Sequence, residues 1–196
     1  MRFSSLFIAI IGGVLAVAAA ACTNSQGNTA ATAVQPDSAA RVARGAYLVS
    51  ITGCDDCHSP KRMGPRGPEI IPELRLSGFP HNGQLPALDS SEIAKGWTLL
   101  APDLTSAVGV WGASFAGNIT SDATGIGNWK EENFIRALRE GKYKGLANGR
   151  NLLPPMPWFA YKNMSDEDLK SIFAYLKTTR PVSNVVPAPK ALAALK

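Results

Sequence analysis

The sequence predicts one mainly α-helical domain, and three observations support this prediction. Three stretches carry apolar residues at helical spacing between a capping residue and a stop signal. The 196 residues are 45% hydrophobic and 18% charged, which is typical of a folded globular protein. Glycine and proline are frequent, with 18 and 14 copies, so loops and turns should join the helices.

The first 21 residues are interpreted as a signal peptide. Arg2 provides a positive start, and an apolar run follows from Leu6 to Ala21. The run ends in Ala19-Ala20-Ala21-Cys22, which resembles the cleavage box of a bacterial lipoprotein. We therefore predict lipidation of Cys22, with ordinary cleavage after Ala-x-Ala as the alternative. The expected location is the bacterial cell envelope, on the periplasmic side and anchored to a membrane through the lipid.

Residues 22–36 are predicted to form a flexible tether. This segment is rich in Asn, Gln, Ser, Thr and Ala and cannot bury enough apolar surface to fold. The formal net charge of the chain is +5, of which Arg2 belongs to the predicted leader. A charge of this size gives no reason to expect nucleic-acid binding.

The folded domain is predicted to span residues 37–182, followed by a C-terminal tail at 183–196. Its helices are expected from a cap at Asp37 or Ser38 to about Val49, ahead of Gly53; from a cap at Asn128 to Gly141; and from a cap at Ser165 to Pro181. Between Pro60 and Thr124 the chain is loop-rich. A short β-hairpin is predicted there, with strands at Trp97–Leu100 and Val108–Trp111.

The segment Cys54-Asp55-Asp56-Cys57-His58 has the C-x-x-C-H pattern of c-type haem attachment. At this spacing two thiols can reach the two vinyl groups on one edge of the macrocycle. The histidine that follows is carried under the ring, where its imidazole can bind iron. We therefore predict one covalently bound haem c, attached through Cys54 and Cys57 and ligated by His58.

Two other functions of the paired cysteines are less consistent with the rest of the sequence. A thiol redox pair is expected in a βαβ setting, which the sequence does not show. A zinc site would need a fourth ligand, and His81 is the only other histidine. If Cys22 carries lipid, haem attachment leaves no free thiol in an oxidising compartment.

The sixth position of the iron has four candidate ligands: Met63, Met156, Met164 and His81. Prolines on both sides of Met156 stiffen its loop and could hold the thioether at a fixed point. A thioether ligand favours reduced iron, which suits electron transfer. We predict Met156 as the ligand, with a role as a core-filling residue as the alternative.

With both axial positions filled, the iron would have no place for a substrate. The predicted function is therefore that of an electron carrier with redox protein partners, and not of an enzyme. A haem enzyme or gas sensor with an open or labile sixth position is the alternative. No distal acid–base pair is apparent in the sequence to support it.

The order of these features resembles class I cytochrome c. A helix with Gly45 and Tyr47 leads into the haem motif, and a methionine loop precedes a last helix with Phe173 and Tyr175. The resemblance covers about residues 37–182. It implies a cytochrome c fold, with helices around one covalent haem and the loop-rich segment as an insertion. It also implies that the first and last helices cross at Gly45.

A narrower resemblance is to modules in cytochrome subunits of bacterial membrane dehydrogenases for alcohols, aldoses and gluconate. The matching segments are Asn118–Asp122, Thr124–Trp129, the stretch from Phe134 to Gly141, Pro155–Pro157 and Met164–Leu169. The resemblance implies that Asn118, Ile126 and Trp129 lie around the haem, although packing or turn roles are equally compatible with these residues.

The resemblance also implies that a proline carbonyl, from Pro60, Pro65 or Pro68, accepts a hydrogen bond from His58. Such subunits usually carry several haem motifs, whereas this chain has one. A stand-alone carrier in an envelope respiratory or dehydrogenase pathway is therefore expected, with a fixed dehydrogenase subunit as the alternative.

Two clusters of positive charge accompany these features. One consists of Lys61, Arg62 and Arg66 directly after the haem motif, and the other lies between Arg136 and Lys144. We interpret both as solvated surface charges, with a docking surface for an acidic partner as the alternative.

Overall fold

The computed structural model of the protein describes residues 38–195. The predicted signal peptide (1–21), the tether (22–36) and Cys22 lie outside the described residues. The described chain is a small mixed fold of helices and strands, so the expectation of a mainly α fold is confirmed only in part. The sequence patterns missed most of the strands because these are only two to four residues long.

The helices are α1 (Ser38–Ile51), α2 (Cys54–His58), α3 (Ser90–Ala94), α4 (Glu131–Glu140), α5 (Trp158–Tyr161) and α6 (Asp166–Leu176). The strands are β1 (Lys61–Gly64), β2 (Gly67–Ile70), β3 (Leu99–Leu100), β4 (Ser106–Gly109) and β5 (Gly112–Phe115). Among the described residues, no helix is both long enough and apolar enough to cross a membrane.

Helices α1 and α6 cross at Gly45, as the resemblance implied. A Cβ atom at this position would lie 1.9 Å from the carbonyl oxygen of Ser171 and 2.7 Å from the Cβ of Tyr175. Any side chain would therefore force the helices apart, and only glycine allows this approach. The close crossing brings the start and the end of the domain into direct contact.

The predicted ends of the helices are partly correct. The Ser165 side chain accepts a hydrogen bond from the backbone N–H of Asp168 and caps α6, which confirms that prediction. Gly141 ends α4 in the left-handed conformation at φ 64°, which also agrees. The predicted cap of α4 at Asn128 is wrong, because the helix begins after Lys130, whose side chain makes no capping hydrogen bond.

The main hydrophobic core lies between the long helices. Apolar side chains from α1, α4 and α6 pack with two residues from the connecting loops, Leu76 and Ile126. The buried members on the helices are Leu48, Val49, Phe134, Leu138, Leu169, Ile172, Phe173 and Leu176. Because these side chains come from the first, middle and last parts of the domain, the core consists of contacts between residues that are distant in sequence.

The strands form two separate sheets. Strands β1 and β2 make a hairpin that the sequence analysis did not predict. Strands β3, β4 and β5 form an antiparallel sheet in which Leu99 pairs with Val108 and Leu100 pairs with Ala107. The predicted hairpin is therefore found, but its second strand is displaced: Val110 and Trp111 form the turn into β5.

A second and smaller core lies under the larger sheet. Ile93, Val108 and Ala113 are its buried members, and partly buried side chains from residues 85–88 and from the chain end pack against them. The residues after α6 contribute here, because Lys190 pairs with Ala113 and Leu192 joins this core. The described part of the predicted tail, 183–195, thus packs on the domain.

Candidate haem-attachment site

The haem motif forms a short helix of its own, α2, which contains all five residues from Cys54 to His58. Gly53 precedes it at φ 73°, a left-handed conformation that separates α2 from α1. Both cysteines are free thiols and partly buried. They lie three residues apart on a helix and so share one side of it, which suits attachment to one edge of a ligand.

The local environment keeps both thiols protonated. Burial raises the pKa of Cys54, and the negative charges of Asp55 and Asp56 add to this effect. Burial also raises the pKa of Cys57, while the positive charge of Lys61 acts in the opposite direction. The Cys54 sulfur lies 3.4 Å from the Thr52 hydroxyl. Both sulfurs are therefore free of disulfide bonds, and Cys54 packs against the main core.

His58 is oriented by a backbone carbonyl from a distant part of the chain. Its Nδ1 lies 2.7 Å from the carbonyl oxygen of Gly117 and donates to it in the neutral form of the ring. Burial is the largest effect on the pKa of His58 and lowers it, which favours the neutral ring. In this tautomer Nε2 carries the lone pair, as a metal ligand requires.

The Nε2 atom of His58 has no hydrogen-bond partner among the described residues. The Ser106 hydroxyl is the only fully enclosed side-chain polar atom without a partner in the part of the chain that the structure describes. Nε2 is therefore not fully enclosed by the described residues. A neutral imidazole with one nitrogen fixed and the other open is ready to bind a metal.

The expectation that a proline carbonyl accepts the hydrogen bond from His58 is wrong. The acceptor is Gly117 and not Pro60, Pro65 or Pro68. The Pro60 carbonyl instead accepts a hydrogen bond from the N–H of Ile71, and Pro68 lies within the β1–β2 hairpin. The N–H of Gly78 donates to the His58 carbonyl, and the N–H of Phe79 donates to the Ala116 carbonyl. This ladder brings Gly117 next to the histidine.

Met156, Ile126, Trp129 and Cys54 all belong to the main core or pack against it. Ile126 is fully buried in this core, and the other three are partly buried against it. The loop before Met156 is held by Ser114 of β5, whose hydroxyl donates to the Pro154 carbonyl at 2.5 Å. The structure therefore brings the predicted thioether and the attachment helix onto the same apolar cluster.

The other candidate ligands lie in different surroundings. Met63 is on the outer hairpin and 70% exposed, and His81 is exposed in a turn. Met164 packs against the main core directly before the cap of α6.

Asn118 is buried, and its side chain is fully occupied by the protein itself. The amide nitrogen donates to the Thr124 hydroxyl and the Val182 carbonyl, and the amide oxygen accepts from both the N–H and the hydroxyl of Thr120. This network joins the loop after β5 to the segment after α6. Asn118 therefore has a structural role next to Gly117.

Three polar supports of α2 escaped the sequence analysis. Arg75 donates to both carboxylate oxygens of Asp55 at 2.9 and 2.6 Å, and it also donates to the Tyr175 hydroxyl on α6. The Tyr161 hydroxyl donates to the carbonyl of Thr52 at 2.7 Å. Lys61, interpreted above as a solvated charge, donates to the backbone carbonyls of Asp55 and Asp56 in the motif. Each of these contacts either joins residues that are distant in sequence or has no recognisable pattern among the neighbouring residues.

The donor set fits a covalently attached haem. Two free thiols lie on one helix, followed by a neutral imidazole with an open Nε2, and a thioether side chain packs on the same apolar cluster. Within residues 38–195, no group of three or more His, Cys, Asp or Glu side chains is arranged to hold a metal ion. His58 and Met156 are the side chains that would hold the iron.

Known proteins provide an independent comparison. No protein-family model matches the chain. The chain is 33% identical over 151 residues to the fructose dehydrogenase cytochrome subunit of Gluconobacter japonicus, which is 76% of this chain and 23% of that protein. It is 33% identical over 137 residues to the gluconate 2-dehydrogenase cytochrome c subunit of Pantoea cypripedii, which is 69% of this chain and 22% of that protein.

A third relative is more distant but covers a similar part of the chain. The cytochrome c subunit of the quinone-dependent alcohol dehydrogenase of Gluconobacter oxydans is 28% identical over 152 residues, which is 76% of this chain and 24% of that protein. The chain thus spans less than a quarter of the length of these three curated relatives. The similarity to cytochrome c subunits of bacterial dehydrogenases extends over most of the chain and supports its assignment as a cytochrome c module.

Proposed function

We propose that this protein is a monohaem electron carrier of the bacterial cell envelope. The observation that carries the proposal is the α2 helix, where two free thiols precede a histidine with one nitrogen anchored to Gly117 and the other open. Similarity to cytochrome c subunits of dehydrogenases supports an electron-transfer role. A bound haem would supply a one-electron Fe(III)/Fe(II) couple.

The predicted site residues would have separate roles in binding the haem. Cys54 and Cys57 would form the thioether links, and His58 and Met156 would occupy the two axial positions. Ile126 and Trp129 would exclude water from the apolar side of the site, where a lower dielectric strengthens electrostatic effects on the iron. A filled sixth position would prevent substrate binding, so the protein would act with redox partners and not as a catalyst.

The proposed location follows from the segment that precedes the domain. Residues 1–21 would direct export, Cys22 would carry lipid, and residues 22–36 would link the domain to the membrane. Such an anchor would raise the local concentration of the domain near its donor and acceptor.

The proposed ligation is tested by visible spectra of the purified holoprotein, oxidised and reduced, for the wild type and Met156→Ala. We expect a weak far-red band in the oxidised wild type that is lost in Met156→Ala. Met164→Ala is the matched control, because Met164 is also a partly buried methionine on the main core. It should retain the band. A high-spin wild type contradicts the ligand assignment and favours a gas sensor or haem enzyme. A band that survives Met156→Ala also contradicts the assignment, and it indicates a different thioether ligand.

Covalent attachment is tested by denaturing the protein and extracting it with acidified organic solvent. The haem should remain with the wild-type chain, and Cys54→Ala with Cys57→Ala should release it. Loss of haem from the wild type under these conditions would overturn the proposal of thioether links.

A second candidate, a fixed subunit of a larger dehydrogenase, is favoured by the names of the three relatives, each of which is a dehydrogenase subunit. Gentle solubilisation of membranes followed by size separation distinguishes the two. A carrier should migrate as a small protein, whereas a fixed subunit should migrate together with dehydrogenase activity.

A further inference from the structure

Lys61, the first residue of β1, places its ammonium group among four backbone carbonyls. The Nζ atom lies 2.6 Å from the Asp56 oxygen, 2.9 Å from Ser59, 3.0 Å from Asp103 and 3.2 Å from Asp55. An ammonium has three hydrogens to donate, so the carbonyls share them and the group has no unused donor. This arrangement fixes the position of the charge.

Three of these carbonyls belong to the haem motif or follow it directly. Helix α2 ends at His58, and the carbonyls in the last turn of a helix have no partners within the helix. The Lys61 ammonium satisfies the carbonyl of Asp56, shares that of Asp55 with the Ser59 N–H, and complements the negative end of the helix. The fourth carbonyl, of Asp103, lies between β3 and β4, so Lys61 also ties the motif to the larger sheet.

The charge of Lys61 is not neutralised by a carboxylate among residues 38–195. Arg75, the other cation beside the motif, differs because it forms an ion pair with Asp55 at 2.6 Å. The Lys61 ammonium contacts carbonyls on both sides of His58 in sequence, those of Asp55 and Asp56 before it and that of Ser59 after it. Lys61 therefore contributes a positive charge without an ion-pair partner beside the haem motif.

We propose that Lys61 is a positioning residue that holds the carbonyl end of the haem-motif helix and, through its charge, favours the reduced state of the site. This inference rests on the proposed function. Reduction adds one electron to the site, breaks no bond and moves no proton, so the site becomes less positive by one unit. A fixed positive charge nearby stabilises that state relative to the oxidised one.

The test is a spectroelectrochemical titration of the holoprotein with three substitutions at this position. Lys61→Met removes both the charge and the donors, Lys61→Gln removes the charge but keeps N–H donors, and Lys61→Arg keeps both. Arg62→Gln is the matched control, because Arg62 is the next residue of β1 and is exposed.

At the wild-type midpoint, Lys61→Met and Lys61→Gln should lower the ratio of reduced to oxidised protein about tenfold, which corresponds to about 59 mV for one electron. Lys61→Arg and Arg62→Gln should change the ratio by less than about twofold, since charge is retained in the first and screened by solvent in the second. Thermal unfolding should show a larger loss of stability for Lys61→Met than for Lys61→Gln.

Equal ratios for Lys61→Gln and Arg62→Gln would overturn the electrostatic role of Lys61. Equal unfolding temperatures for Lys61→Met and the wild type would overturn its positioning role. If Lys61→Met does not accumulate as holoprotein, the titration of Lys61→Gln decides the electrostatic role. A wild type without covalent haem would instead contradict the proposed function.

Discussion

The helical region (α1, α2 and α4–α6) and the sheet region (residues 61–117) contribute to the candidate site in different ways. The helical region and its loops contain every predicted attachment residue and axial ligand. The sheet region contains none of them, yet it supplies the supports: Gly117 orients His58, Ser114 holds the loop before Met156, and Asp103 accepts from Lys61. One region would bind the cofactor, and the other sets the geometry in which it is bound.

The largest effect on the unfolding free energy is expected at the α1–α6 crossing, where the two helices are too close to accommodate a side chain. Gly45→Val would place carbon atoms within 1.9 Å of a backbone carbonyl on α6, which cannot move away without separating the helices. We expect a loss of more than about 3 kcal/mol of unfolding free energy, measured by denaturant titration.

The control for this substitution lies on the same helix. Ala43→Val adds the same kind of side chain at an exposed position of α1 and should cost less than about 1 kcal/mol. Similar losses for the two variants would show that the α1–α6 crossing is not the limiting contact.

A pair of core substitutions compares the two regions directly. Leu169 in the main core and Ile93 in the second core are both almost fully buried. Leu169→Ala should cost about 3–5 kcal/mol, and Ile93→Ala about 2–3 kcal/mol, because the smaller core can relax more easily around a cavity.

Visible spectra of the same two proteins extend this comparison. Leu169→Ala should weaken the far-red band, since Met156 packs on the same cluster as Leu169. Ile93→Ala should leave that band unchanged. The opposite pattern would mean that the sheet region controls the axial thioether more strongly than the main core does.

The smallest effect is expected for the hydrogen bond between α5 and the segment before the motif. Tyr161→Phe removes the bond to the Thr52 carbonyl and should cost about 1 kcal/mol. Burial, with smaller contributions from negative charges nearby, raises the pKa of Tyr161 to about 12. An unfolded tyrosine titrates near about pH 10.

The wild type should therefore retain this contribution below about pH 10 and lose it as the pH rises toward 12. In Tyr161→Phe the unfolding free energy should fall less steeply over that interval. Tyr47→Phe is the control, because Tyr47 is 54% exposed. If the unfolding free energy of Tyr161→Phe fell with pH as steeply as that of the wild type, groups other than Tyr161 would cause the alkaline loss of stability.

Local sequence patterns predicted the helical region well. Ser165 and Gly141 have the positions expected of a helix cap and a helix stop. Each of these roles depends on the residue and its immediate neighbours in sequence. The cap predicted at Asn128 is wrong because α4 begins without a side-chain capping hydrogen bond, so no local residue pattern marks its start.

The supports of the site were not predictable in the same way. The acceptor of His58 is a backbone carbonyl, which any residue could supply, and Gly117 lies 59 residues away. Lys61 has the appearance of a surface charge in the sequence, because nothing local shows that Asp103 folds against it. Long-range contacts between common groups leave no local pattern, so the proline acceptors suggested by the resemblance were incorrect.

The distance between His58 and Gly117 also affects the order of events during biosynthesis. A chain is made from its N-terminus, so the motif appears before the carbonyl that orients its histidine. At about 5–20 residues per second, the interval is about 3–12 s. During that time Cys54 and Cys57 belong to a nascent chain without the contacts of the folded site. A synthesis pause placed after the motif would lengthen this interval, and one placed before the motif would not.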